Sequence, residues 1–350
     1  MKRWLRIILA VLGALLVVLL IAVGFLFLPV GDPDLTSRPN PAGSYEEAVT
    51  RVRAQQAKEA EEPLQPVTHS TALLHGSQVT TAVVLFHGYT HSPYQWRVVA
   101  KAYYDRGYNV WAPLAPYHGY ADRMTDNLSR LDPVQLAGYA DGAVDIGRGL
   151  GKNVEVVGLS TGGDAAVWTA VERPDVARTV AIAPVMDPRG LPAWALMPVA
   201  RWYRYMPDSF NWWVPDQKEA MPGPAYPRFS FRGTFAFIQL SEWALAKARA
   251  AGEPPARGLF EIVANYADKS VDTTYNVEAA KLIAPKERLT VFTIPASAGF
   301  GHDLVEPAGE NKMIIERVYP VLSQALGIPL PDPRAPGSSG TTDTAPAEGP

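Results

Sequence analysis

The 350-residue sequence contains no cysteine. Disulfides, thiolate metal sites and a cysteine nucleophile are excluded together, while the redox compartment stays open. Histidine is scarce: the six stand at 69, 75, 87, 91, 118 and 302, and no pair of them sits on a helical pattern as in a zinc helix. No metal and no cofactor is expected. An excess of one charge is also missing, with 32 Lys+Arg against 35 Asp+Glu. Basic residues cluster only within the first six positions, so nucleic acid is not an expected partner. What the chain does have is apolar content, 47% hydrophobic and 10% aromatic, enough for a sizeable core in one large domain or two ordinary ones.

The first informative segment is Ile7 to Leu28, an unbroken apolar and glycine run. As a helix it would span roughly 33 Å, the thickness of a bilayer's hydrocarbon core. Lys2, Arg3 and Arg6 precede it, and Asp32 and Asp34 follow. The positive-inside rule then leaves the N-terminus in the cytoplasm and everything else outside: a single-pass protein of the cell membrane, touching the bilayer through residues 7–28. The alternative is a signal peptide cleaved after Ala22-Val23-Gly24, with residues 1–24 lost and the remainder secreted; such peptides carry a shorter apolar region, of about 7–15 residues.

Composition divides the rest. Residues 1–30 read as the anchor. Residues 31–66 hold a proline-rich juxtamembrane linker and a charged helix that opens on the capping box Ser44-Tyr45-Glu46-Glu47 and runs to about Lys58. Residues 331–350 are too poor in apolar side chains to fold and read as a disordered tail. Between them, apolar runs at 81–86, 108–112, 153–157, 179–183, 259–263 and 289–294 alternate with helical patterns at 93–106, 134–150, 161–172, 273–284 and 309–326. Near-continuous Val, Ile, Leu and Phe suits parallel strands buried on both faces. The order predicts an α/β class: a mostly parallel central sheet flanked by helices. Residues 187–258 interrupt it and are too long for a loop.

Gly158-Leu159-Ser160-Thr161-Gly162 reads G-x-S-x-G. Three fixed residues at roughly 7% usage would match somewhere in such a chain about one time in ten, so the pattern alone decides little. Its setting decides more. A buried strand pattern leads in and a helical pattern leads out, which puts Ser160 on a tight turn at a helix N-terminus. Gly158 and Gly162 supply the missing side-chain bulk. On these residues the chain resembles the α/β-hydrolase family over roughly residues 80–326, in the branch of monoacylglycerol lipases, carboxylesterases and serine aminopeptidases.

The resemblance implies the order serine, acid, histidine along the chain. Five histidines precede Ser160 and only His302 follows it, just after the last strand pattern, where the family places its base. Asp268, after the strand pattern 259–263, matches the family's acid. Asp272 and Asp187 remain alternatives, Asp272 having a second reading as a helix cap. Asp303, next to the base in sequence, is expected to be solvated. The family's oxyanion donors correspond to the backbone N–H groups of Thr161 and of Tyr89, in Phe86-His87-Gly88-Tyr89, with His87 structural.

Residues 187–258 correspond to the family's cap, between core segments 67–186 and 259–330. Five of the nine tryptophans fall there, and Trp202, Trp212 and Trp213 are candidate substrate contacts. The expectation is a membrane-anchored serine hydrolase of lipase or carboxylesterase type, acting on apolar acyl esters, small-molecule or lipid. Acyltransferase, thioesterase and serine aminopeptidase chemistry use the same triad and stay open, as does a catalytically silent tethered binding module.

Overall fold

The structure, a computed structural model, describes residues 2–26, 31, 33–187, 193–214 and 223–332. The tail expected over 331–350 lies outside the described residues from 333 onward.

The described residues form nine strands and nine α-helices. Seven strands form one sheet: β1 (Thr71–Leu73), β2 (Val79–Phe86), β3 (Asn109–Ala112), β4 (Gly151–Leu159), β5 (Arg178–Ile182), β8 (Leu259–Asn265) and β9 (Leu289–Ile294), in the order β1-β3-β2-β4-β5-β8-β9. All neighbours are parallel except β1, which runs antiparallel to β3. β1 carries no sequence signal: three half-buried residues at an edge are too few to show a period. The expected strands are present, several of them longer than their apolar runs.

The sheet is buried on both faces because its strands alternate into two cores. From β2, Ala82, Val84 and Phe86 enter one core while Val83 and Leu85 enter the other. The first core packs under α4 (Pro133–Leu150), α5 (Thr161–Glu172), α7 (Phe231–Ala250) and α8 (Thr273–Ile283). The second packs under α3 (Arg97–Tyr104) and α9 (Ile315–Leu326). The expected helix at 309–326 begins only at Ile315, and that at 93–106 is a 3₁₀ turn at Pro93–Trp96 leading into α3.

The insertion consists of two structurally distinct parts. α6 (Ala193–Tyr203) and the two-stranded sheet of β6 (Phe210–Trp212) and β7 (Arg228–Ser230) make the outlying part. α7 instead lays Phe237, Leu240, Ala244 and Leu245 into the main core.

α1 (Lys2–Leu26) contains Arg3–Ile21, 19 residues long and apolar enough to cross a membrane, with its leucines exposed. The proline-rich segment after it is no free tether. An extended chain leaves its N–H groups without internal partners, and here acids of α4 and α5 take them: Ser37 N–H donates to Glu172, Arg38 N–H to Asp141 and Asn40 N–H to Asp145. Leu35 is buried, and its carbonyl accepts from the Trp168 indole. Beneath this strap the Arg173 guanidinium is fully buried among Asp141, Asp145 and Asp175. α2 (Tyr45–Ala60) follows on the predicted cap: Ser44 Oγ accepts from Glu47 N–H, and the Glu47 carboxylate from Gly43 N–H.

Candidate active site

The turn between β4 and α5 is one residue long. Ser160 sits there at φ 58° and ψ −122°, a strained conformation for a residue with a side chain. Its N–H donates to Ile182 O on the neighbouring strand. The flanking glycines are required by space. A Cβ on Gly158 would stand 2.0 Å from Gly162 O, and one on Gly162 2.1 Å from Phe86 O.

Three residues from three loops meet at this turn. Ser160 Oγ lies 2.8 Å from His302 Nε2, so the hydroxyl donates to the neutral imidazole. His302 Nδ1–H donates to Asp268 Oδ2 across 2.6 Å. Asp268 is buried, and its other oxygen accepts from Ser270 N–H. Burial pushes the Asp268 carboxyl up, but the hydrogen bond and charge of His302 outweigh it, and the acid ionises below its ordinary value. For His302, burial lowers the pKa and the bond and charge of Asp268 more than restore it, leaving the imidazole more basic than usual.

The two alternative acids stand elsewhere. Asp272 caps α8, accepting from Tyr275 N–H. Asp187 touches that cap through its backbone carbonyl, and its carboxyl is pushed up by burial and by Asp272. Asp303 is only partly exposed, at the edge of the cavity described below. Its Oδ1 accepts from Val305 and Glu306 N–H, so the chain turns sharply, and Oδ2 accepts from Gln95 Nε2. The expectation of exposure assumed an extended chain after His302.

The turn after β2 is held from several sides. His87 is buried, donating through Nδ1–H to Gly88 O and accepting at Nε2 from Ala115 N–H. Gly88 N–H donates to Gln95 Oε1. Tyr89 buries its ring against His118, Phe229 and Phe237, and its hydroxyl donates to Ser230 O. The backbone N–H groups of Tyr89 and Thr161 meet no acceptor among the described residues.

Residues that the sequence did not single out hold the backbone around His302. Asn265, at the end of β8, donates to Phe300 O and Gly301 O. Asn311 accepts from Gly301 N–H and donates to Asp303 O. A polar residue closing β8 was a signal for Asn265. Neither Asn311 nor Gln95 had one.

The profile described as the alpha/beta hydrolase family matches residues 83–314. The chain belongs to this family.

Among curated relatives of this alpha/beta hydrolase, the thermostable monoacylglycerol lipase of Bacillus sp. (strain H-257) is 26% identical over 128 residues, 35% of this chain and 48% of that protein. The chain thus spans about half the length of this relative. Two solved structures share the fold. That of the metagenome-derived lipolytic enzymes LipS and LipT superposes with a TM-score of 0.55 at 17% identity, covering 75% of this chain and 99% of the other. The soluble variant of the Saccharomyces cerevisiae monoglyceride lipase gives 0.54 at 13%, covering 74% and 91%.

A cavity of about 460 Å³ opens on the serine turn of this alpha/beta hydrolase. Its walls include Ser160, His302, Tyr89, Leu159, Trp213 and Val214. Trp213 is fixed by its indole N–H, which donates to Thr90 Oγ1. Trp202 packs on Tyr205, and Trp212 lies in β6; among the described residues neither lines the cavity. Within the same bounds, no cluster of His, Asp or Glu is arranged to hold a metal ion.

Proposed function

We propose that this alpha/beta hydrolase is a membrane-anchored serine esterase of the lipase or carboxylesterase type, with Ser160 as nucleophile, His302 as base and Asp268 as acid. The observation that carries the reading is the unbroken hydrogen-bond chain from Ser160 Oγ through the His302 ring to buried Asp268.

In the first half-reaction His302 Nε2 takes the Ser160 proton as Oγ attacks the ester carbonyl. The oxygen becomes an anion, which the Tyr89 and Thr161 N–H groups stabilise; donors already oriented cost no reorganisation during the step. The tetrahedral species collapses, the carbon–oxygen bond to the alcohol breaks, and His302 returns its proton to the leaving alkoxide. In the second half, water gives a proton to His302 and attacks the acyl-enzyme, releasing the carboxylic acid and restoring Ser160. Asp268 keeps the imidazole in the Nδ1–H tautomer and stabilises its protonated form.

The favoured substrate is an ester with an apolar acyl chain. Leu159, Trp213 and Val214 offer an apolar wall within the cavity, and the named relatives are lipases. The α1 span supports an anchor with the catalytic domain outside the cytoplasm, or a secretory signal if residues 1–24 are removed.

The test is turnover of p-nitrophenyl esters of increasing acyl length by the detergent-solubilised full chain and its Ser160→Ala variant. The expected result is turnover by wild type and a loss of at least about a thousandfold in the folded variant. Equal rates in the two, or none at any length, overturn the reading. Acyl transfer to alcohols and amines is then measured next.

A further inference from the structure

The oxyanion turn and the base come from opposite ends of the sheet sequence, Gly88-Tyr89 after β2 and His302 after β9. Catalysis needs their spacing held to a few tenths of an ångström, because the donors must sit about 2.7–3.1 Å from the developing anion while the base stays within reach of Ser160. We propose that Gln95 is the positioning residue that sets this spacing, by bridging the Gly88 N–H to the carboxylate next to His302. The inference rests on the esterase reading.

The Gln95 side chain is buried, on the turn that precedes α3. Its Oε1 accepts from Gly88 N–H at 2.8 Å, and its Nε2 donates to Asp303 Oδ2 at 2.8 Å, a residue 208 positions away. An N–H only donates and an ionised carboxylate only accepts, so a carboxamide fits in a single orientation. Neither end is loose. Gly88 is held in the turn described above, and its carbonyl also accepts from His91 N–H. Asp303 is fixed through its own N–H to Glu310, through its carbonyl to Asn311, and through Oδ1 to two backbone N–H groups. A shift of either loop is thus passed to the other. Two residues on, Arg97 forms a bidentate pair with Glu306 at 2.6 and 2.8 Å, which ties the same pair of segments together farther from the cavity. The charged and titratable groups facing the bridge are Asp303, His91 at 3.8 Å from Asp303 Oδ2, Glu310, and the Arg97–Glu306 pair, with His302 adjacent in the chain.

Gln95→Met keeps the length and removes both hydrogen bonds. With a short p-nitrophenyl ester, kcat is expected to fall about 10- to 100-fold with KM within about twofold, since the lost interaction serves the transition state. Gln95→Glu supplies the second measurement. When protonated, its carboxyl accepts from Gly88 and donates to Asp303 as the amide does. When ionised, it faces a like charge. The ratio of its kcat to that of wild type is therefore expected to rise as pH falls, a response that a purely structural role lacks. If Gln95→Met does not fold, Gln95→Glu carries the test alone.

Wild-type kcat in folded Gln95→Met overturns the inference and leaves the esterase reading intact. So does a loss in Gln95→Met that follows the melting temperature with a pH-independent ratio in Gln95→Glu. Wild type that turns over no ester removes the reading and the inference together.

Discussion

His302 Nδ1 and Asp268 Oδ2 stand 2.6 Å apart, although 34 residues separate them in the chain. The carboxylate makes the imidazole more basic and fixes its tautomer. Asp268→Asn removes the charge and leaves the shape. The plateau of kcat/KM is expected to fall about 10⁴-fold. Its acid limb, set by protonation of His302, should move to lower pH, because the neutral amide no longer favours imidazolium. Full pH profiles of both proteins check this, and an unmoved limb would contradict the assigned partner.

The glycines beside Ser160 are a matter of space. A methyl at Gly162 would press on Phe86 O, which is backbone and cannot swing aside. Gly162→Ala is expected to cost about 1–3 kcal/mol or more in urea unfolding and to lower ester turnover in the fraction that folds. Gly138→Ala, on α4 where nothing lies within 4 Å of the added methyl, is the control and should be neutral or stabilising.

The strap sets where a soluble fragment can begin. A fragment starting at residue 33 keeps the N–H donors to Glu172, Asp141 and Asp145 and the buried Leu35. One starting at Ser44 leaves those acids without these partners, each worth about 1–3 kcal/mol. The shorter fragment should melt well below the longer one, and equal melting temperatures would show the strap to be dispensable.

Two buried histidines lie behind the Gly88-Tyr89 turn, with His118 packed edge-on to His87. Burial lowers the His118 pKa to about 4 and holds His87 well below its usual value. The unfolded chain, with an imidazole pKa of about 6.5, therefore binds protons more readily than the folded one between these values. Stability is present above about 6.5 and is lost as pH falls toward 4, by about 3 kcal/mol for His118. Melting temperatures across that range should decline in wild type and less steeply in His118→Phe.

Trp213 tests the proposed acyl wall. Its ring lines the cavity and is pinned to Thr90. Trp213→Ala should raise KM for long-chain esters more than for acetate, and a chain-length profile parallel to that of wild type would assign the wall elsewhere.

Much of this protein was written locally in its chain. Period and run length marked the buried strands, because a strand covered on both faces must be apolar throughout. The turn at Ser160 was legible because no other residue than glycine fits at 158 and 162, and His302 because no other histidine follows the serine. The apolar run of α1 needed only its length. Tertiary structure decided what depends on long-range proximity. Asp268, Asp272 and Asp187 share one composition, and only the closing of β8 beside β9 brings the first to the imidazole. The tethering of the proline-rich strap and the division of the insertion at α7 follow from packing surfaces that have no local pattern. The bridge through Gln95 has the least local signal of all: a hydrogen bond between residues 208 apart is specified by where two loops end, and no single stretch of sequence contains both.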